Sequence, residues 1–274
     1  MSTIQFPKIS VITPSYNQGK YIERTITSIL NQNYPNLEYI ICDGGSKDET
    51  IDIIKKYENQ ISWWCSEKDK GQTDAINKGM KKATGDIVCW INSDDILLPN
   101  SLIHIGRFFA NNAQISYYNG VSIEIDADDK IIKTKNLYFT PFFFKHGCFN
   151  CAQQGMFWKR ELFEKIGYLN EEFHACMDVE FQARICEAGY KMYFENTPIG
   201  AIRIYEETKT ASGGSIWTVD EERMKKTYNG KYISNKKSIF FVLFALIKLF
   251  KGIYLNNIIY KIKNKGKSVY SVHK

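Results

Sequence analysis

The chain has 274 residues, 44% of them hydrophobic and 24% charged, a balance that fits one large globular domain or a domain with an appendage and excludes a disordered or fibrous protein. Its net charge of +6 hides a division: residues 1–222 carry 23 basic and 30 acidic groups, whereas residues 223–274 carry 13 basic groups and no acid. The body is therefore acidic, a basic tail supplies the whole positive balance, and no nucleic-acid partner is expected.

Nothing in Met1–Lys8 reads as a signal peptide, since it leads straight into a strand. The seven cysteines are scattered and odd in number, and Cys42, Cys89 and Cys186 fall inside apolar elements. They read as reduced thiols of a cytoplasmic protein. Cys148 and Cys151 have metal-knuckle spacing but lack a second pair, and read as two unrelated thiols.

Taken in order, Ile9–Thr13 is a β-branched strand that stops in the turn-rich loop 14–19. Ile22, Ile26, Ile29 and Leu30 mark a helix ending before Tyr34-Pro35. Leu37–Cys42 is a second strand running into Asp43-Gly44-Gly45. Ser46 and Glu49 have capping-box spacing for the helix that carries Ile51, Ile54 and Tyr57. A third strand is expected at 61–65, a third helix at Thr73–Ala83, and a fourth, fully apolar strand at Ile87–Ile91. The alternation predicts an α/β fold, a Rossmann-like, doubly wound, mostly parallel sheet. No G-x-G-x-x-G follows a strand and no P-loop is present, which disfavours a dinucleotide dehydrogenase or a P-loop kinase.

The fourth strand ends in Asn92-Ser93-Asp94-Asp95. Two acids just past a buried parallel strand are not core residues, because buried charge is costly unless paired or bound to metal. Such a turn is either ordinary Asp-rich punctuation or a ligand site at the carboxyl end of the sheet. After a helix at Asn100–Asn111 the pattern changes. Strands at 116–124 and 130–135 predict a hairpin around Ala127–Asp129. The aromatic stretch 138–149 is a core-capping loop or an acceptor-binding lip. Helices at 160–166 and 178–188 and strands at 190–194 and 199–204 complete a first region, residues 1–222. Residues 223–274 form a second, helical one. Its run from Ser238 to Ile247 is too short to span a bilayer and is followed by further apolar residues and lysines. That is the composition of a helix lying in an anionic interface, of a soluble helix packed on the domain, or of a dimer contact.

Several ordered motifs, Ser10–Asn17, Asp43–Asp48, Asn77–Gly79 with Ala83–Asp86, Asn92–Asp95, Gln154–Arg160 and Gly167–Glu171, together resemble the family 2 glycosyltransferases of the GT-A fold. The resemblance covers about residues 8–210. It implies an inverting, metal-dependent transfer of a sugar from a nucleotide-sugar, a UDP-sugar first, to a glycan or polyprenyl-linked acceptor in bacterial surface-polysaccharide assembly. It also implies Mn²⁺ or Mg²⁺ as cofactor. The interfacial reading of the basic tail in turn places the enzyme on the inner face of the cytoplasmic membrane. Asp94 matches the metal-binding acid of the family's D-x-D motif, with Asp95 beside it, and Asn92 replaces the first Asp. Thr13, Pro14, Tyr16, Asp43, Asp74, Asn92, Ser93, Arg203 and Lys209 fall at donor-side positions. Asp74 reads equally as a first-turn helix acid. Ile76 stands where many relatives carry a phosphate-contacting Arg, which Lys78 or Arg203 would replace, and Tyr205 stands at a His position. Asp178 matches the general base. Gln154, Trp158 and Glu180 are the acceptor-side candidates. A silent nucleotide-sugar-binding module at the membrane is the alternative. A sugar nucleotidyltransferase would want a glycine-rich, basic loop where Pro14–Asn17 stands.

Overall fold

The computed structural model describes residues 5–134, 136–149, 152–206, 208, 215–234 and 236–273. Strands β1 (Ile9–Ser15), β2 (Leu37–Asp43), β3 (Trp63–Ser66) and β4 (Ile87–Trp90) are parallel and lie in the order β3-β2-β1-β4. Helices α1 (Ile22–Leu30), α2 (Thr50–Lys56) and α3 (Gln72–Lys82) make the crossovers. The chain leaves β1 on one side and returns as β4 on the other, so a crevice opens beyond the carboxyl ends of these two strands. That is where ligands sit in open α/β sheets.

The expectation of a mostly parallel sheet holds only for this half. Past β4 come β8 (Met156–Lys159), β6 (Tyr117–Ile125), β9 (Met192–Arg203) and β5 (Ile96–Leu97), with β7 (Ile131–Thr134) on β6. Strand β8 is antiparallel to both β4 and β6, whereas β9 is parallel to β6. The chain enters β8 from a short 3₁₀ turn, Gln153–Gly155, whose Gln153 donates to the carbonyl of Trp90 at the end of β4. It can only run back along β4 from there. The two strands expected at 190–194 and 199–204 are one long β9.

The shared core runs under this junction. Trp90 and Trp158 stack at 4.6 Å with their planes 5° apart. Gly79 lets α3 lie on the sheet: a Cβ there would come 2.4 Å from Ile12 Cγ2. Its neighbour Asn77 exchanges two hydrogen bonds with the backbone of Leu169, at 2.8 and 3.0 Å, so two distant motifs touch. The capping box does not form. Ser46 is held by Asp43, and Asp48 accepts from Thr50 N at 3.1 Å at the start of α2.

The remaining helices are α4 (Ser101–Asn111), α5 (Pro141–Lys145), α6 (Glu161–Ile166), α7 (Met177–Glu187), α8 (Ser215–Thr227), α9 (Ile239–Phe250), α10 (Ile253–Asn264) and α11 (Val269–Val272). The basic tail is docked on the body. Phe244 packs with Phe143 and Cys148, and Val269 is buried with Ile125 and Ile131. Backbone bonds tie Ile131 to Lys267 and Gly266, at 2.9 and 2.8 Å. No single helix among the described residues is long and apolar enough to cross a membrane, and α9 and α10 are bent by 60° against each other. The six described cysteines carry free thiols, and Cys151, like Lys135, lies outside the described residues.

Candidate active site

A cleft of about 1710 Å³ opens where the topology reverses. Pro14, Ser15 and Tyr16, leaving β1, form one wall, and Tyr16 is 60% exposed. Asn17 has φ 51°, a conformation Asn tolerates, which turns its amide onto Ser46 Oγ at 2.8 Å. Its side-chain oxygen accepts from Lys47 N at 2.9 Å, so the loops after β1 and β2 are locked together.

The turn after β4 is the floor. Asp95 is 2% exposed and accepts from Arg203 N at 2.9 Å, Gln154 Nε2 at 2.6 Å and Asn92 Nδ2 at 3.0 Å. Burial, and then the adjacent charge of Asp94, push its pKa well above the usual carboxylate range. Asp95 also lines the cleft, and its oxygens brace the turn by holding these three donors. Asp94 lies partly open in the cleft and accepts from Tyr205 Oη at 2.9 Å. Asn92 and Ser93 line the cleft, and Asn92 Oδ1 accepts from Gln72 Nε2 at 2.7 Å.

Asp178, in the first turn of α7, lines the same cleft. Burial pushes its pKa up to about 6. Its helix start is held from outside: Asp220 of α8, fully buried, accepts from the amides of His174, Ala175 and Cys176 at 2.9, 2.6 and 3.0 Å.

Other expected residues have different places. Thr13 is buried behind the cleft and accepts from Tyr39 Oη at 3.1 Å. Asp43 is also buried, accepting from Gly45 N, Ser46 N, Ser46 Oγ and Ser66 Oγ, and shapes the turn after β2. Asp74 accepts from Lys70 N at 3.0 Å, closing the turn before α3. Lys78 is paired with Glu67 at 2.9 Å. The Arg203 guanidinium is wholly buried, bonded to the carbonyls of Asp94, Asp126 and Ala127 and paired with Asp129 at 2.6 Å. The last contact is held by charge rather than alignment, since neither atom completes a hydrogen bond. Arg203 also lines the cleft, with its guanidinium committed to these partners. Trp158 belongs to the core stack, and Glu180 is buried against Arg184 at 2.9 Å and Tyr228 at 2.9 Å; neither lines the cleft. Gln154 lines the cleft while bracing Asp95. Lys209 lies outside the described residues.

The cleft also gathers Lys47, Lys68, Trp217 and Phe241, which sequence spacing did not single out. Lys47 sat inside a motif and Phe241 inside the apolar run of the tail; only the topology brings them, Lys68 and Trp217 to one cleft. Buried Ser15 Oγ, Ser122 Oγ, Gln153 Oε1 and Gln154 Oε1, all on cleft-lining residues, have no hydrogen-bond partner among the described residues.

The sequence profile of Glycosyl transferase family 2 matches residues 10–167, more than half of the chain. The chain belongs to Glycosyl transferase family 2. This glycosyltransferase is 28% identical over 204 residues to a Methanococcus voltae dolichyl N-acetyl-alpha-D-glucosaminyl phosphate 3-beta-D-2,3-diacetamido-2,3-dideoxy-beta-D-glucuronosyltransferase, covering 68% of this chain and 63% of that protein. It is 34% identical over 113 residues to the Escherichia coli UDP-Glc:alpha-D-GlcNAc-diphosphoundecaprenol beta-1,3-glucosyltransferase WfgD, covering 40% of this chain and 45% of that protein. The matches thus span less than two thirds of these relatives' own lengths. Among solved structures, the Pyrobaculum calidifontis mannosyltransferase PcManGT, in complex with GDP-Man and Mn²⁺, superposes with a TM-score of 0.63 at 18% identity, covering 98% of this chain and 74% of that one. TarS 1–349 of S. aureus, in complex with UDP-GlcNAc, gives 0.60 at 18% identity, covering 80% and 66%. The glycosyltransferase shares their GT-A fold, a curled, mixed sheet with flanking helices.

Proposed function

We propose that this chain transfers a hexosyl group from a nucleoside-diphosphate-sugar to an acceptor hydroxyl, with inversion, in cell-surface polysaccharide assembly. The observation that carries the reading is that Asp94 and Asp178 line one cleft at the switch point of the sheet, with Tyr16 and three lysines on its walls. The unpartnered oxygens of Ser15, Ser122, Gln153 and Gln154 suit a polyhydroxylated ligand, because a buried polar atom without a partner is costly.

The cleft fits a divalent cation of the Mg²⁺ or Mn²⁺ class. Among the described residues no cluster of three metal-ligating side chains exists, so Asp94 would hold the ion with diphosphate oxygens and waters. A bound cation supplies neutralisation of the charge that develops on the leaving diphosphate. Tyr205 steadies the Asp94 carboxylate through its hydroxyl. Tyr16 offers a face for the nucleoside, and Lys47 and Lys68 bring positive charge to the phosphates. Asp178 takes the proton of the acceptor hydroxyl as its oxygen bonds to the anomeric carbon. The bond from that carbon to the phosphate oxygen breaks, and its electron pair leaves with the nucleoside diphosphate.

UDP-glucose and UDP-N-acetylglucosamine are the donors to try first, since a relative acts on the former by name and a structural neighbour binds the latter. The test is nucleoside diphosphate release from UDP-, GDP- and dTDP-sugars, with and without chelator. Asp94→Ala should abolish release and metal-dependent donor binding, whereas Asn92→Asp should keep activity. Full wild-type activity in excess chelator would remove the metal. Tight donor binding with no release from any donor would leave a silent binding module.

A further inference from the structure

Helices α9 and α10 each leave one apolar stripe uncovered. Val242, Leu246, Leu249 and Phe250 on α9, and Leu255, Ile258 and Ile262 on α10, recur at helical spacing and are exposed. Phe250, at the elbow between the helices, is 86% exposed. The opposite side of each helix is fastened to the body. Phe244 packs between Tyr138 and Phe143, Ile253 is buried, and Asn257 accepts from Asn136 N at 2.9 Å.

A patch of this size on a folded body marks an interaction surface. Its chemistry selects the partner. Lys236 and Lys251 stand near the ends of α9, and Lys261, Lys263, Lys265 and Lys267 close α10 and follow it, with no acid anywhere from residue 223 onward. A second copy would bring one lysine fringe against another, a like-charge contact that costs affinity. Anionic headgroups neutralise the same fringe while acyl chains cover the stripes. Fastening to the body and the 60° bend keep the pair from crossing the bilayer as a straight span.

We propose that α9 and α10 form an in-plane seat on an anionic lipid bilayer, with the cleft mouth at its edge. Lys236 and Phe241, at the start of α9, also line the cleft, which brings the mouth to headgroup level. Taken with the transfer reading above, on which this last step rests, the acceptor is a membrane-held molecule that presents a sugar hydroxyl to Asp178.

The experiment uses the full chain and vesicles of phosphatidylcholine, alone or with about one third phosphatidylglycerol. Wild type should co-sediment with the anionic vesicles, more weakly as salt rises, and bind neutral ones far less. Leu246→Glu with Leu249→Glu and Ile258→Glu, at exposed positions, should lose vesicle binding at least tenfold with an unchanged circular dichroism spectrum and melting temperature. Vesicle binding by this variant equal to wild type overturns the seat. So does a wild-type dimer in solution that becomes monomeric in the variant and never binds vesicles, which would make a second copy the occupant. Donor hydrolysis in buffer should be equal in the two proteins. Its absence from both refutes the transfer reading and leaves the vesicle result standing.

Discussion

As the proposed base, Asp178 must be charged near neutral pH and still basic enough to take a proton. Burial meets both demands by raising its pKa to about 6. Turnover should therefore fall about tenfold per pH unit below 6 and level off above it, a profile read directly from initial rates. The same shift has a stability cost. The native carboxyl holds its proton up to about 6, whereas the unfolded one releases it near 3.8, so this group favours folding at low pH and loses that contribution as pH rises through 6. Asp178→Asn should lose turnover by about 10²–10⁴-fold yet melt no lower than wild type at pH 7. A variant that keeps turnover but loses donor affinity would move the base elsewhere. Arg203 is the converse case. Its buried guanidinium joins the Asp94 carbonyl to the turn of the β6–β7 hairpin and pairs with Asp129. Arg203→Ala should cost about 3–5 kcal/mol in a denaturant titration, the usual penalty for stranding a buried partner. It should leave the donor KM of the folded fraction nearly unchanged, which a diphosphate contact would not.

One scale up, the placement of Asp178 depends on two helices meeting. The first amides of a helix have no partners of their own. For α7 the preceding amides of His174, Ala175 and Cys176 converge on Asp220, a residue of α8 more than forty positions away. Asp220→Ala removes that acceptor and should lower the melting temperature, with a cost of about 1–2 kcal/mol, and lower turnover with it by shifting Asp178. Asp220→Asn keeps one carbonyl oxygen and should restore most of both. Equal turnover in the alanine variant and wild type, measured per folded molecule, would make Asp220 merely structural.

For the whole molecule, the question is whether the basic tail is a separate unit beginning at residue 223. Its packing argues for one cooperative body. Phe244 sits in the Phe143 cluster, and Val269 completes a core layer with Ile96, Ile125 and Ile131. Phe244→Ala should therefore lower the single melting transition of the full chain, by about 3–5 kcal/mol as for other buried aromatics. An independent tail would leave the main transition where it is. The exposed apolar surface of the docked tail and the cleft meet at the start of α9, where Lys236 and Phe241 line the cleft.

Much of this was legible in the chain itself. The alternation of β-branched runs and amphipathic helices fixed a parallel half-sheet, since side-chain period alone separates strand from helix. The adjacent acids after a buried strand marked the cleft, because two charges there must have partners. Spacing could not say which acid faces out. Asp94 and Asp95 are neighbours, and only the arrival of Arg203, Gln154 and Asn92 around Asp95 turns it inward. Asp43, Arg203, Trp158 and Glu180 carry the right chemistry for substrate contacts, but each meets a partner distant in sequence and becomes part of the frame. Antiparallel β8, the merged β9 and the docking of the tail are long-range pairings, set by where the chain returns rather than by any local preference. The sequence by itself determined the elements and the chemical inventory, since both follow from neighbours along the chain. Tertiary structure decided which groups are left facing the cleft, because a buried polar group takes whichever partner the fold brings within reach.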